Sequence, residues 1–238
     1  MTAGYPAAAW QARRVRTLLP ALLLAAVVAG CSGGGDDKSA DDTPAQRLTA
    51  AKKSLDDAEY IGFTLETDSL PDGLEGLLSA TGTGTHAPAF TGDVKVQASI
   101  DINAPLIAVD DTVYAKLPFV GWQEIDPDDY GAPDPAQLMA TDGGISSLFT
   151  ATKNATEGDK SRDGDTVLTE VEGTIPGSAV EAVFPSAGSA DFTVTYALDD
   201  TDKIDNARMN GPFYDGYDDV TYDIDFDLDA DEVDIAAP

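Results

Sequence analysis

Cysteine and histidine are nearly absent from this 238-residue chain: each occurs once, as Cys31 and His86. A lone cysteine excludes an internal disulfide and any multi-cysteine zinc site. A lone histidine confines histidine-based catalysis to one position. His86 stands in Gly82-Thr-Gly-Thr-His-Ala-Pro88, a loop composition with no partner nearby in sequence. Basic residues are scarce as well. Fourteen Lys+Arg against 43 Asp+Glu leave a formal net charge of −29, which repels phosphate backbones and excludes nucleic acid as a partner. The same charge opposes anionic membrane surfaces, so any membrane attachment is covalent or hydrophobic. No nucleophile motif, phosphate-binding glycine loop or metal-ligand cluster stands out. Neither catalytic residues, a metal nor a cofactor is therefore expected.

Long apolar runs are also missing. The longest, Leu18–Gly30 (LLPALLLAAVVAG), follows Arg13, Arg14 and Arg16. It falls short of the roughly 20 residues that span a bilayer, but a basic stretch before a short apolar one is the pattern of a secretory signal. Val28-Ala29-Gly30-Cys31 resembles the lipobox of bacterial lipoproteins, which implies cleavage before Cys31 and a diacylglycerol thioether on it; the alternative is an ordinary cleaved signal beside a chance cysteine. Two acyl chains anchor stably where one binds marginally. Residues 32–43, SGGGDDKSADDT, are small, flexible and acidic and read as a tether. The division is then 1–30 signal peptide, 31–43 lipidated cysteine and tether, 44–238 folded domain. The chain is expected at the cell membrane, lipid-anchored on the extracytoplasmic face.

The domain begins with helix signals: Thr43, Pro44 and Gln46 form a capping box, and Leu48, Ala51, Lys52, Leu55 and Ala58 give a one-sided helix through about Ala58. Alternating runs follow: Ile61, Phe63, Leu65; Val94, Val96, Ala98, Ile100; Phe192, Val194, Tyr196, Leu198. Period two marks sheet with one apolar and one wet face, a division that antiparallel sheets accept. Ile107, Val109, Val113, Ala115 and Leu117 share parity, so a three-residue loop at 110–112 is expected to pair Val109 with Val113. Helices are expected at Gly73–Ala80, after Asp142 (carrying Ile145, Leu148, Phe149 and Thr152) and after Ser178 (carrying Val180, Val183 and Phe184, stopped by Pro185). The class is α+β, with helices against one face of an antiparallel sheet.

Residues 220–231, VTYDIDFDLDAD, place an aspartate at every second position from Asp223 to Asp231. An EF-hand loop needs glycine at its sixth position and glutamate at its twelfth, and no start in this run supplies them. The aspartates read as the wet face of a strand, with weak cation binding as the alternative. Val220, Tyr222, Ile224, Phe226 and Leu228 face the other way.

Several stretches together resemble one known family: Leu70–Gly73, Ala87–Gly92, Val113–Phe119, Ile125–Leu138 (IDPDDYGAPDPAQL), Gly143–Leu148, Gly173–Pro176, Gly211–Phe213 and the ending Ile235–Pro238. With the lipobox they are similar to the LppX/LprG (LppX_LprAFG) family of actinobacterial lipid-carrier lipoproteins, over nearly all of 44–238. The resemblance implies a strongly curved antiparallel half-barrel, with helices on its concave face enclosing an apolar cavity. It also implies cargo: a multi-acylated lipid or glycolipid carried within the cell envelope, with a transport partner not identified. Exposing three sixteen-carbon chains to water would cost on the order of 40 kcal/mol, so a dry cavity must replace the bilayer. Such a cavity is expected to approach or exceed the top of the 300–1,000 Å³ range of small-ligand sites. Its expected wall includes Phe63, Leu65, Val94, Val96, Val113, Leu148, Phe149, Val183, Phe184, Phe192, Val194 and Phe226. The competing reading is a surface or interaction lipoprotein with a packed core.

Overall fold

A computed structural model describes residues 42–238. The signal segment, Cys31 and nearly all of the tether lie outside the described residues. Helix α1 spans Pro44–Asp56, and its capping box forms as the sequence indicates. Thr43 Oγ1 accepts from the Gln46 N–H, and Gln46 Oε1 accepts from the Thr43 N–H at 2.9 Å. Leu48, Ala51 and Leu55 are its buried stripe.

Eleven strands make one antiparallel, open, curled sheet: β1 Ile61–Glu66, β2 Gly76–Thr85, β3 Ala89–Gln97, β4 Ile102–Val109, β5 Thr112–Leu117, β6 Gly121–Ile125, β7 Lys153–Asp163, β8 Thr166–Ile175, β9 Phe192–Leu198, β10 Ile204–Gly211 and β11 Val220–Asp227. Their order is β6-β5-β4-β3-β2-β1-β11-β10-β9-β8-β7. The sheet is thus two meanders. The first runs outward from β1 to the β6 edge, and the second runs inward from the β7 edge to β11. They join where β1 pairs with β11, Phe63 opposite Phe226 and Leu65 opposite Ile224. Between the edges the chain passes over the buried face through a 3₁₀ turn (Pro127–Tyr130), α2 (Pro135–Leu138) and α3 (Ser147–Ala151); α4 (Gly177–Glu181) lies between β8 and β9.

Five local expectations are corrected. Gly73–Ala80 is not a helix but a turn entering β2. Leu77 and Ala80 are both buried because a bulge between Leu77 and Ser79 inserts Leu78 and shifts the parity; a three-residue spacing made by a bulge imitates a helical one. The β4–β5 loop has two residues, Asp110 and Asp111, both left-handed (φ 52° and 59°). It pairs Val109 with Thr112 and Ala108 with Val113. Aspartate tolerates the left-handed region that such two-residue turns require. Leu106, Ala108, Val113 and Ala115 therefore face inward, while Ile107 and Val109 are half-buried on the other face. Ile100 lies beyond the end of β3 and is exposed. Asp142 caps no helix: α3 starts at Ser147, although Ile145, Leu148 and Phe149 are buried as expected. The helix expected after Ser178 starts two residues earlier, at Gly177 behind Pro176, and ends at Glu181, so Val180 lies on it while Val183 and Phe184 follow it.

Strand β11 carries the alternation legible in its sequence. Val220, Tyr222, Ile224 and Phe226 are buried, while the acids point outward. Its neighbour β10 supplies the cation: Arg208 Nη1 donates to both carboxylate oxygens of Asp223 at 2.8 Å. Lys203 reaches Asp229 at 3.3 Å. Among the described residues no cluster of His, Cys, Asp and Glu is arranged to hold a metal ion.

Candidate functional site

The segment after β6, Asp126–Leu138, lies over β2–β4 and encloses an apolar pocket. Its floor is Phe63 and Leu65 from β1, Leu77 and Ala80 from β2, Phe90, Val94 and Val96 from β3, and Leu106 from β4. Its cover is Ile125, Pro127, Tyr130, Ala132, Pro133, Pro135 and Leu138. The lining offers hydrocarbon and rings, which suits an acyl chain and disfavours any ion. The free space is about 60 Å³, room for a few waters and far below the expected size. The pocket exists, but it is contracted around its own side chains.

The cover is thin. Ile125, Pro127 and Pro133 also line a broad, open groove of about 830 Å³ on the other side, edged by Asp111, Glu124, Asp126, Asp128, Asp134 and Asp142. Its prolines donate no backbone hydrogen bond. Short local turns hold its shape: Asp126 and Asp134 cap the two turns through the N–H groups of Asp128 (3.0 Å) and Ala136 (2.8 Å). Gly131, left-handed at φ 62°, ends the first. Side-chain and backbone hydrogen bonds tie it to the rest: Ser186 Oγ donates to the Gly131 carbonyl at 3.0 Å, the Ile145 N–H donates to the Leu138 carbonyl at 2.9 Å, and His86 reaches Met139 just past its C-terminal end.

His86 is more than a loop residue. Its Nδ1 lies 2.6 Å from the Met139 carbonyl oxygen and its Nε2 lies 3.0 Å from that of Leu55. It bridges the end of α1 to the end of the cover. A neutral ring donates to one of these acceptors, and a doubly protonated ring donates to both. Lys52 and Asp56 make a second bridge. Lys52 Nζ donates to Asp56 (2.6 Å), the Thr141 carbonyl (2.9 Å) and Ser146 Oγ (3.1 Å), and Ser146 Oγ donates to Asp56 at 2.7 Å. At the other end of α1, Arg47 Nε donates to the buried Asp202 at 2.7 Å and Arg47 Nη2 to the Asp199 carbonyl at 3.1 Å.

At the pocket's floor, beside the β2 bulge, two buried tyrosines bond the backbone of Leu77. The Leu77 N–H donates to Tyr214 Oη at 2.9 Å, and Tyr222 Oη donates to the Leu77 carbonyl. The two hydroxyls are 3.0 Å apart, so Tyr214 is left to donate to Tyr222. Burial pushes both hydroxyls above the ordinary phenol range, Tyr222 the furthest. Gly76 leaves room for this relay, since a Cβ there would stand 2.6 Å from Tyr214 Oη. Nothing in the spacing of Tyr214 and Tyr222 announces it.

The twelve residues expected to wall a cavity separate into groups. Phe63, Leu65, Val94 and Val96 line the apolar pocket. Val113 and Val183 border the acidic groove. Phe184 lines a crevice with Leu65, Phe213 and Tyr222. Leu148, Phe149, Phe192, Val194 and Phe226 are buried in the contiguous core. There the rings meet edge to face: Phe149 against Tyr196 at 4.9 Å and Phe226 at 6.3 Å, and Phe213 against Phe192 at 4.9 Å and Tyr222 at 4.8 Å. Sequence alternation did not reveal the cover's share of the lining, because prolines and alanines in a turn-rich run have no period.

The fold is thus an open, curled antiparallel sheet with an apolar pocket under a turn-rich cover. The family model described as LppX_LprAFG lipoprotein matches residues 43–229, and the chain belongs to that family. Two mycobacterial proteins share its fold. LprF from Mycobacterium bovis has a TM-score of 0.68 at 16% identity, covering 82% of this chain and 96% of its own. Lipoprotein LppX from Mycobacterium tuberculosis has a TM-score of 0.57 at 18% identity, covering 80% and 98%. No curated protein matches the chain. Among the described residues no helix is long and apolar enough to cross a membrane.

Proposed function

We propose that this chain is a lipid-anchored, extracytoplasmic lipoprotein that takes a multi-acylated lipid or glycolipid beneath the Asp126–Leu138 cover and helps transfer it within the cell envelope. Membership of a lipoprotein family supports the anchor at Cys31. The observation that carries the cargo reading is the pocket itself: floor and cover are both apolar, and a thin segment with few ties separates them from an open groove. Lifting that segment merges the two spaces and gives acyl chains a dry bed, so that transfer from bilayer to protein is close to neutral. Burying each methylene offsets about 0.8 kcal/mol of exposure. The contracted pocket is then the cargo-free state, closed because interiors do not keep large voids.

Organic extraction and native mass spectrometry of the full-length protein purified from its host test the reading. Co-purifying acylated lipid is the expected result. Val96→Trp and Ala80→Leu, which fill the pocket, are expected to abolish loading while the circular dichroism spectrum stays that of the parent. Lipid-free parent protein, or undiminished loading in both folded variants, would overturn it. The 60 Å³ of free space favours a second reading, a surface or interaction lipoprotein with a packed core, and a clean extract would support that one.

A further inference from the structure

Two loops expose large apolar side chains to solvent at the same end of the sheet. Phe119 is fully exposed (107%) and Val120 largely so (63%) in the β5–β6 turn; Ile100 is 82% exposed in the β3–β4 loop. In an antiparallel meander the β3–β4 and β5–β6 connections leave one end of the sheet. These two are set apart by roughly 10 Å, two strand spacings. Phe119 also adopts a left-handed backbone (φ 69°), which disfavours any residue with a Cβ and suits glycine. A bulky ring held there, with nothing of its own fold to pack on, is suited to a contact outside the chain.

The chemistry around the tip identifies the contact. The run Lys116-Leu-Pro-Phe-Val-Gly-Trp122 contains no acid in a chain with 43 of them. Its only charge is Lys116, whose ammonium lies 5.8 Å from the centre of the Trp122 ring. A tryptophan and a lysine at the base of an apolar tip form the amphipathic arrangement favoured at a membrane–water boundary. Separate protruding tips, rather than one flat patch, suit a fluid phase that each can enter on its own. The same strand ends carry the pocket's rim: Leu77 is the second residue of β2 and Val96 the next to last of β3.

Acids stand close by. Asp101 follows Ile100, Glu75 accepts from the Ser99 N–H and hydroxyl, and Asp68 and Asp72 lie in the β1–β2 loop at this end. They limit the depth of insertion and select against anionic lipid. We infer that Ile100, Phe119 and Val120 form a shallow docking site for an uncharged or zwitterionic lipid surface, which brings the pocket's rim against it. The site stands on the exposed tips and does not depend on what the pocket carries.

The test uses the full-length chain with Trp10→Phe, which leaves Trp122 as its one tryptophan. The protein is mixed with phosphatidylcholine vesicles brominated along the acyl chain. An N-terminal anchor fixes the protein to the vesicle but does not bring Trp122 to the bromines, so quenching reports the tip. A severalfold loss of Trp122 emission with a blue shift is expected, weaker on phosphatidylglycerol vesicles, and abolished by Phe119→Asp with Val120→Asp. Both side chains are exposed, so the double variant keeps the parent's fold. Unquenched Trp122 in the parent, or equal quenching in the double variant, overturns the proposal. Native mass spectrometry of the same samples separates this from the carrier reading: quenching without cargo leaves the docking site standing and sinks the carrier.

Discussion

The two halves of the sheet differ in what fills their buried faces. Over β8–β11 the buried face carries interlocked rings, Phe149 of α3 against Tyr196 and Phe226, and Phe213 against Phe192 and Tyr222, with Tyr196, Phe149, Phe192 and Phe213 all but inaccessible. Over β2–β4 the buried face carries one ring, Phe90, among smaller side chains, Leu77, Ala80, Val94, Val96 and Leu106. Gly82 stands opposite Gly92 there, and a Cβ on Gly82 would stand 2.2 Å from the Thr91 carbonyl oxygen and 2.6 Å from the Phe90 ring. Above it lies a segment rich in proline and acid, which has no continuous apolar face with which to interlock. The lesson is that the covering segment, more than the sheet, decides which half is core and which half can open.

The sharpest way to break that comparison is a matched pair of deletions. Leu148→Ala removes a side chain locked in the aromatic half, where the neighbours cannot close in. Leu106→Ala removes one that already borders free space under a movable cover. Leucine-to-alanine costs range over roughly 2–5 kcal/mol according to how far the site can collapse. Leu148→Ala is expected near the top, about 4–5, and Leu106→Ala near the bottom, about 2. Urea unfolding of both variants measures the gap. Equal losses would mean that the two halves are packed alike.

The seam between the halves gives the next effect. Tyr222→Phe takes the hydroxyl donor from the Leu77 carbonyl and the acceptor from Tyr214. An orphaned buried polar group costs about 1–3 kcal/mol, and the same unfolding measurement should find a loss in that range. Tyr196→Phe is the control. Its hydroxyl lies 2.9 Å from Thr152 Oγ1, which keeps a second partner in the Leu148 carbonyl, so its loss should be smaller. The reverse ranking would place the critical polar contact in the ring-packed half.

The sequence announces the packed half better than the half that can open. Alternation along Phe192–Leu198 and Val220–Phe226, and the capping box at Thr43, survive intact because one physical rule governs each. Strand β7 does not show itself: at the sheet's edge its residues KNATEGDKSRD are polar on both faces, as exposed edges tend to be. Around the pocket, each misleading signal has its own cause. A bulge turned period two into period three at Leu77–Ala80, and a two-aspartate turn moved the inward face of β4 from odd to even positions. The cover is joined to the rest through His86 and Ser186, contacts between residues 53 and 55 positions apart, a distance across which local pattern carries no information. The stretch Ile125–Leu138 carried the family resemblance, but its place as the cover and the small space it encloses come from the structure.

The smallest expected effect lies on the wet face, where both halves meet β11. Partial burial raises the carboxyl of Asp225 above its usual range, and the charges of Asp205, Glu66, Asp223 and Asp163 add to it. Burial raises Asp205 as well, with Asp163 contributing next. A carboxyl raised on folding binds its proton more tightly in the native state. Its contribution to stability is therefore fully present below the ordinary carboxylate value and is lost as pH rises through the raised one. Asp225→Asn removes a repelled charge, so at pH 7 it should stabilise the fold, by less than about 1 kcal/mol because the group is largely exposed and water screens it. The gain should shrink toward zero near pH 4, where the parent's own proton does the same work. Thermal unfolding of parent and variant at both pH values measures it. A destabilised variant at pH 7 would mean that Asp225 has an attractive partner, and that the acidic face helps hold the two meanders together rather than merely staying wet.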